Sequence, residues 1–259
     1  MLLLLVLASA VLHAAWNAML RQEPDKDRAV VIAIAVASAV AGVVALARAA
    51  TGVTLMPTIE ALAATLLAGV FEAVYFATLA KALALGPLGA VYTVSRGGAV
   101  LLVWPLSVLW WNEPVGAHSL VGTGLLLLGL AVTSYAGGGA ASSVHGPSAE
   151  PRTTRLSGVG WAAICAVFVA AYHLAYKAAL AHGGEPASIF SLSLAFSTVL
   201  ALVRLGPRGR AAMRQVWSQR HRRLLVLGTV CGVAFLLLMF ALADGGAGFV
   251  FTLRNTSVI

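Results

Sequence analysis

The sequence predicts an all-α membrane protein, a polytopic bundle of two inverted five-helix repeats, and three observations carry that prediction. The chain of 259 residues is 60% hydrophobic and only 10% charged, whereas soluble domains run at about 45–50% apolar and about 25% charged. Apolar windows of about 20 residues follow one another along the chain, each long enough to cross a bilayer. Backbone amides in lipid are satisfied only within helices or closed barrels, and windows of this length select helices.

The third observation is internal similarity. His13-Ala14-Ala15-Trp16-Asn17-Ala18-Met19-Leu20 aligns with His173-Leu174-Ala175-Tyr176-Lys177-Ala178-Ala179-Leu180 at an offset of 160. Gly69, Phe76, Gly86, Gly89, Val91 and Thr93 align with Gly228, Phe235, Gly245, Gly248, Val250 and Thr252 at an offset of 159. Shared Ala, Leu and Gly carry little weight in apolar helices, but a His followed at i+3 by a large aromatic, in register with the later block, carries more. A repeat with an odd number of spans inserts its second copy upside down, the plan of many transporters, with the substrate site near the midplane between the copies.

Taken in order, helices are expected at about 2–20, 29–50, 60–80, 88–111, 118–137, 158–181, 187–205, 223–242 and from 246 onward. The first resembles a signal peptide but lacks a basic leader and matches a later segment, so it reads as a retained helix. Glu23-Pro24-Asp25, Met56-Pro57, Gly86-Pro87 and Asn112-Glu113-Pro114 supply breakers at the joints. A Gly-, Ser- and Pro-rich stretch, 138–157, separates a first repeat, 1–137, from a second, 158–259. Val100 aligns with Ile259, whereas the first copy continues through Trp111 and a further helix to about Tyr135. The second repeat is therefore expected to lack the end of the ninth helix and all of a tenth.

The net charge of +8 does not imply nucleic acid, because seven of the 17 basic residues sit between Arg204 and Arg223 without an aromatic platform. A basic loop beside apolar helices is a topology signal and an anionic-lipid contact. Cys165 and Cys231 lie inside apolar runs and offer no metal spacing. No phosphate-binding G-x-x-x-x-G-K-S/T loop and no H-E-x-x-H occurs. No cofactor, no metal and no enzymatic reaction are expected.

The pattern L-H-A-A-W-N-A in the first helix, Y-T-V-S-R-G-G in the fourth and F-T-L-R-N-T-S-V in the ninth resembles EamA-type members of the drug/metabolite transporter superfamily. The two-times-five layout and the N-E-P after the fourth helix fit as well. The resemblance covers the whole chain and is specific for the superfamily rather than for a substrate. It implies ten helices around a central cavity and transport, often export, of small metabolites without covalent chemistry. A bacterial inner membrane is the expected location, and a homodimer is left open. A flippase for a lipid-linked substrate is the alternative, with an intramembrane enzyme or scaffold behind it. Orientation stays open: the basic loops place the N-terminus outside, the resemblance places it inside.

Polar residues within the apolar runs are the candidates for a site. His13, Trp16 and Asn17 share a helix face at i, i+3, i+4, as do His173, Tyr176 and Lys177. Each set can line a cavity or simply hydrogen-bond within the bundle, and Lys177 can also reach a helix end. Glu72, Tyr75 and Phe76 share a face of the third helix. Glu72 can pair with Arg96, Lys177 or Arg254, or can take up and release protons, as proton-coupled transport requires. Tyr92 and Arg96 stand at i, i+4, beside Gly97-Gly98, which permits close packing or local unwinding.

Arg96 and Arg254, one from each repeat, suit a carboxylate or phosphate-like group, since guanidinium binds such anions bidentately. Trp110 and Trp111 read as interfacial belt. Facing lipid, Arg96, Lys177, Arg254 and Glu72 would together oppose insertion by roughly 10 kcal/mol, about 2.5–3.5 for each. Trp16, Asn17, Glu72, Tyr75, Tyr92, Arg96, Tyr176, Lys177, Arg254 and Asn255 are therefore expected to line one cavity for a small anionic or zwitterionic metabolite.

Overall fold

A computed structural model describes residues 1–113, 117–141 and 152–255. Helices are α1 Leu2–Arg21, α2 Lys26–Ala50, α3 Ile59–Leu85, α4 Leu88–Tyr92, α5 Gly98–Trp111, α6 Ala117–Ala141, α7 Arg152–Ala181, α8 Pro186–Asp244 and α9 Ala247–Arg254. A π-helical segment, Thr93–Gly97, joins α4 to α5. Among the described residues there is no strand, and six helices are long and apolar enough to cross a membrane. The fold is that of an all-α, integral, multi-pass membrane protein.

The chain forms two compact units, Met1–Ala73 with Tyr172–Gly245, and Val74–Ala171 with the chain from Gly246. The divisions fall inside α3 and α7.

In the first unit α2 packs against α8. The sequence makes that contact possible with Ala29, Ala33, Ala37, Ala41 and Ala45, one every four residues and all buried. Association within a bilayer rests on such close van der Waals approach, because lipid is as apolar as the side chains. A Cβ on Gly228 of α8 would meet the Val36 Cβ at 2.5 Å, and one on Gly69 of α3 would meet the Ser193 carbonyl oxygen at 2.6 Å. Ser38 and Ser191 tie α2 to α8 reciprocally, each hydroxyl donating to the other's carbonyl, at 2.8 and 2.9 Å.

The ends of this unit are held by ion pairs. At one end Glu185 caps α8, accepting from the Ser188 amide at 2.7 Å, and meets Arg48 at 2.6 Å. Pro186 occupies the first turn, where its missing N–H costs nothing. At the other end Glu23, in the α1–α2 turn, meets Arg220 at 3.1 Å and Arg223 at 2.5 Å.

The basic stretch from Arg204 to Arg223, read from sequence as a loop, is helical. The helical run of α8 is broken at Gly206, whose φ of 64° and ψ of −175° are non-helical. Pro207 then opens a second helical stretch. Its Arg, Ala, Met and Gln residues are good helix formers, and charge rather than propensity hid them. The helix expected at 223–242 therefore starts much earlier. At the other joint, α6 extends to Ala141 and α7 begins at Arg152, each entering the stretch read as linker.

In the second unit Ala82, Val91 and Ala162 form a small core flanked by Leu79, Leu83, Val94 and Trp161. Asn112 ends α5 in the left-handed region, with φ 49°. Glu113 then places its carboxylate on the first turn of α9, accepting from the Ala247 amide and, at 3.1 Å, from the Gly248 amide. Gly246 leaves the room: a Cβ there would lie 2.7 Å from the carboxylate.

Candidate functional site

Each unit buries one polar constellation among its membrane-spanning helices. In the first, Glu72 is 3% exposed on α3. The Tyr176 hydroxyl of α7 donates to its Oε1. Ser193 of α8 stands 3.0 Å from that hydroxyl and within hydrogen-bonding reach of the same carboxyl. Oε2 of Glu72 has no hydrogen-bond partner among the described residues. Tyr172 and His173 complete an aromatic wall, with Tyr172 edge-on to Tyr176 at 5.6 Å between ring centroids. The arrangement holds a carboxyl between hydroxyls, which can accept from or donate to it.

Lys177 of α7 reaches the end of α8. Its Nζ donates to the carbonyls of Leu242 at 3.0 Å and Gly245 at 2.7 Å, where α8 ends. The last carbonyls of a helix lack intrahelical donors and carry its negative dipole end, so a lysine there is well placed. Trp16 is buried, its indole N–H donating to Nδ1 of His13 at 2.9 Å. The Asn17 amide returns to the His13 carbonyl of its own helix at 2.7 Å. For both residues the described polar contacts are local to α1.

In the second unit Arg96 lies in the π-helical segment and is 4% exposed. Its Nη2 donates to the Tyr75 hydroxyl at 3.2 Å, and its guanidinium stands 5.9 Å from the Tyr75 ring centroid. Arg254, on α9, is 3% exposed. Both arginines and Tyr92 act electrostatically on Tyr75. Of the sequence-predicted arginine pair, Arg96 thus meets Tyr75 directly, and Arg254 is buried in the same unit. Asn255, just after α9, is buried and donates to the Phe251 carbonyl at 2.9 Å.

The doublet Gly97-Gly98 signalled both features found there. The backbone is locally π-helical, a form that recurs at functional sites. A Cβ at Gly98 would lie 3.1 Å from that of Ala166, so α7 packs closely at this point.

Thr252, which shares a face of the ninth helix with Asn255 in the sequence, accepts from the Trp104 indole N–H at 3.0 Å. Two residues were not singled out from sequence. Ser193 was readable as one of two serines, with Ser197, a turn apart in an apolar helix. Glu113 was read as part of a helix breaker, although its carboxylate caps α9. Among the described residues no cluster of His, Cys, Asp or Glu could hold a metal ion.

No protein-family model matches the chain, and no curated protein matches it. One solved structure, described only as the crystal structure of a protein, is similar with a TM-score of 0.71 at 19% identity, over 99% of this chain and 84% of the other. That likeness shows the fold.

Proposed function

We propose that the chain is a secondary transporter of the EamA type, exporting a small anionic or zwitterionic metabolite across a bacterial inner membrane. The observation that carries the reading is the burial of Arg96 and Arg254 in one compact unit of apolar helices. Guanidinium groups at that depth are costly and mark substrate pathways by default. Their forked donors suit the two oxygens of a carboxylate or phosphate-like group. Glu72, answered only by hydroxyls in the described structure, is assigned the proton that couples transport to a gradient.

Helix boundaries support the two-repeat plan. Arg21 and Ala181 end α1 and α7, and Lys26 and Pro186 open α2 and α8, each pair 160 residues apart. Leu85 and Asp244 end α3 and α8, and Leu88 and Ala247 open α4 and α9, each 159 apart. Pro87 and Gly246, at the N-caps of α4 and α9, share an extended backbone with φ, ψ of −65°, 138° and −69°, 140°. Dividing α8 at Gly206 and joining α4 to α5 through the π segment leaves nine helices among the described residues.

The test is uptake and efflux in proteoliposomes across a panel of metabolites, with Arg96→Ala and Arg254→Ala alongside the wild type. Both variants should insert normally and lose transport of anionic substrates. Wild-type rates in both would show the arginines to be structural and sink the reading.

A further inference from the structure

We infer that the basic helical stretch after Gly206 is an interfacial surface that binds the phosphate headgroups of anionic lipids. The argument is confined to the first unit and begins with its ends. The start of α8 is tied through Glu185 to Arg48, near the end of α2. From Pro186 to Leu205 the chain is helical, which at about 1.5 Å per residue spans roughly 30 Å, the thickness of the hydrocarbon core. Gly206 therefore lies at the opposite end, where α2 begins. Arg220 and Arg223 lie at that end too, because they bind Glu23 in the α1–α2 turn. The stretch between Gly206 and Arg220 therefore starts and finishes at one membrane edge.

Its two faces are chemically sorted. Met213 and Val216 pack on the core formed by Ala29, Ile32 and Leu224, while Arg220 and Arg223 turn to Glu23. Arg208, Arg210, Arg214 and Arg222 are exposed, and none makes an ion pair among the described residues. No acid occurs between Glu185 and Asp244. Of the nearby acids, Glu23 and Asp25 in the α1–α2 turn are already in ion pairs, leaving Asp27 in the first turn of α2 against exposed Arg21 and Lys26. Trp217, on the same stretch, is 40% exposed, as suits a ring seated at headgroup depth. A protein edge with this many uncompensated guanidiniums needs anions, and at a bilayer surface lipid phosphates supply them.

The experiment compares retention of phosphatidylglycerol and phosphatidylcholine by the detergent-purified full chain, measured by native mass spectrometry. Wild type should retain phosphatidylglycerol preferentially. Each arginine removed should weaken that retention about fivefold, the equivalent of about 1 kcal/mol per basic residue at an anionic surface. The R208Q/R210Q/R214Q/R222Q variant should thus lose the preference, and the matching four Arg→Lys changes should keep it. Equal retention of both lipids by wild type, or undiminished phosphatidylglycerol retention by the Gln variant, would overturn the assignment. So would displacement of the lipid by millimolar inorganic phosphate, which would make this a site for the free anion. If the Gln variant does not fold, the Lys variant with a salt titration carries the test: preference that survives 1 M salt also overturns it.

Discussion

Glu23 and Glu185, near helix ends, and Glu72, in the middle of α3, are almost equally buried, at 2, 3 and 3% exposed. Their surroundings differ. Glu23 meets two arginines and Glu185 one, all with guanidinium side chains 38–42% exposed. Glu72 meets the Tyr176 hydroxyl instead, with the Ser193 hydroxyl beside it. Burial alone therefore does not summon a counter-charge. At a helix end an arginine can keep part of its fork in water while touching a buried acid, which lowers the desolvation penalty of the pair. At mid-membrane no such compromise exists, and hydroxyls are the partners that cost least. The first arrangement fixes a structure, and the second leaves a carboxyl that can change protonation without losing an ion pair.

The largest expected difference is functional. Glu72→Gln should abolish the part of transport that depends on a proton gradient in proteoliposomes, while Glu23→Gln and Glu185→Gln keep it. Identical gradient dependence in all three would erase the distinction. Next comes stability. Glu185→Ala removes a helix cap worth about 1 kcal/mol and a partly exposed ion pair worth up to about 1 kcal/mol. Thermal unfolding in detergent should show a clear drop, and an unchanged transition would mean that neither contact contributes.

Tyr176→Phe leaves the Glu72 oxygen without its hydroxyl donor, at a cost of about 1–2 kcal/mol for an unsatisfied buried group. The same melt should register it, with Tyr172→Phe as the comparison that leaves that hydrogen bond intact. The smallest effect belongs to Arg223→Ala. Arg220 still answers Glu23, so the loss should stay below about 1 kcal/mol. It should fade in 1 M salt, where screening acts within about 3 Å. A loss that grows with salt would contradict an electrostatic origin.

Much of the fold was legible because hydropathy windows report membrane spans directly. The basic stretch of α8 was not, because a hydropathy window scores seven arginines as loop whatever their helix propensity. The arginine pair could be read because an arginine within an apolar run is costly wherever it points. The partners of Glu72 and Lys177 could not. Tyr176 and Ser193 reach Glu72 from two other helices, and Lys177 finds carbonyls, which every residue carries and no sequence pattern marks. The capping role of Glu113 was hidden for a similar reason, since the amides that donate to it are 134 and 135 residues away.

That separation is also a delay. At roughly 5–20 residues per second, synthesis brings the Ala247 amide to Glu113 about 7–27 seconds after the glutamate itself emerges. Throughout that interval α5 is complete and its terminal carboxylate has no helix to cap. A half-buried position at a helix end lets water serve it while it waits. The first turn of α9, with its unbonded amides, then arrives at a receptor already in place. Helix α9 is thereby seated by a residue that was made before α6, α7 and α8 existed.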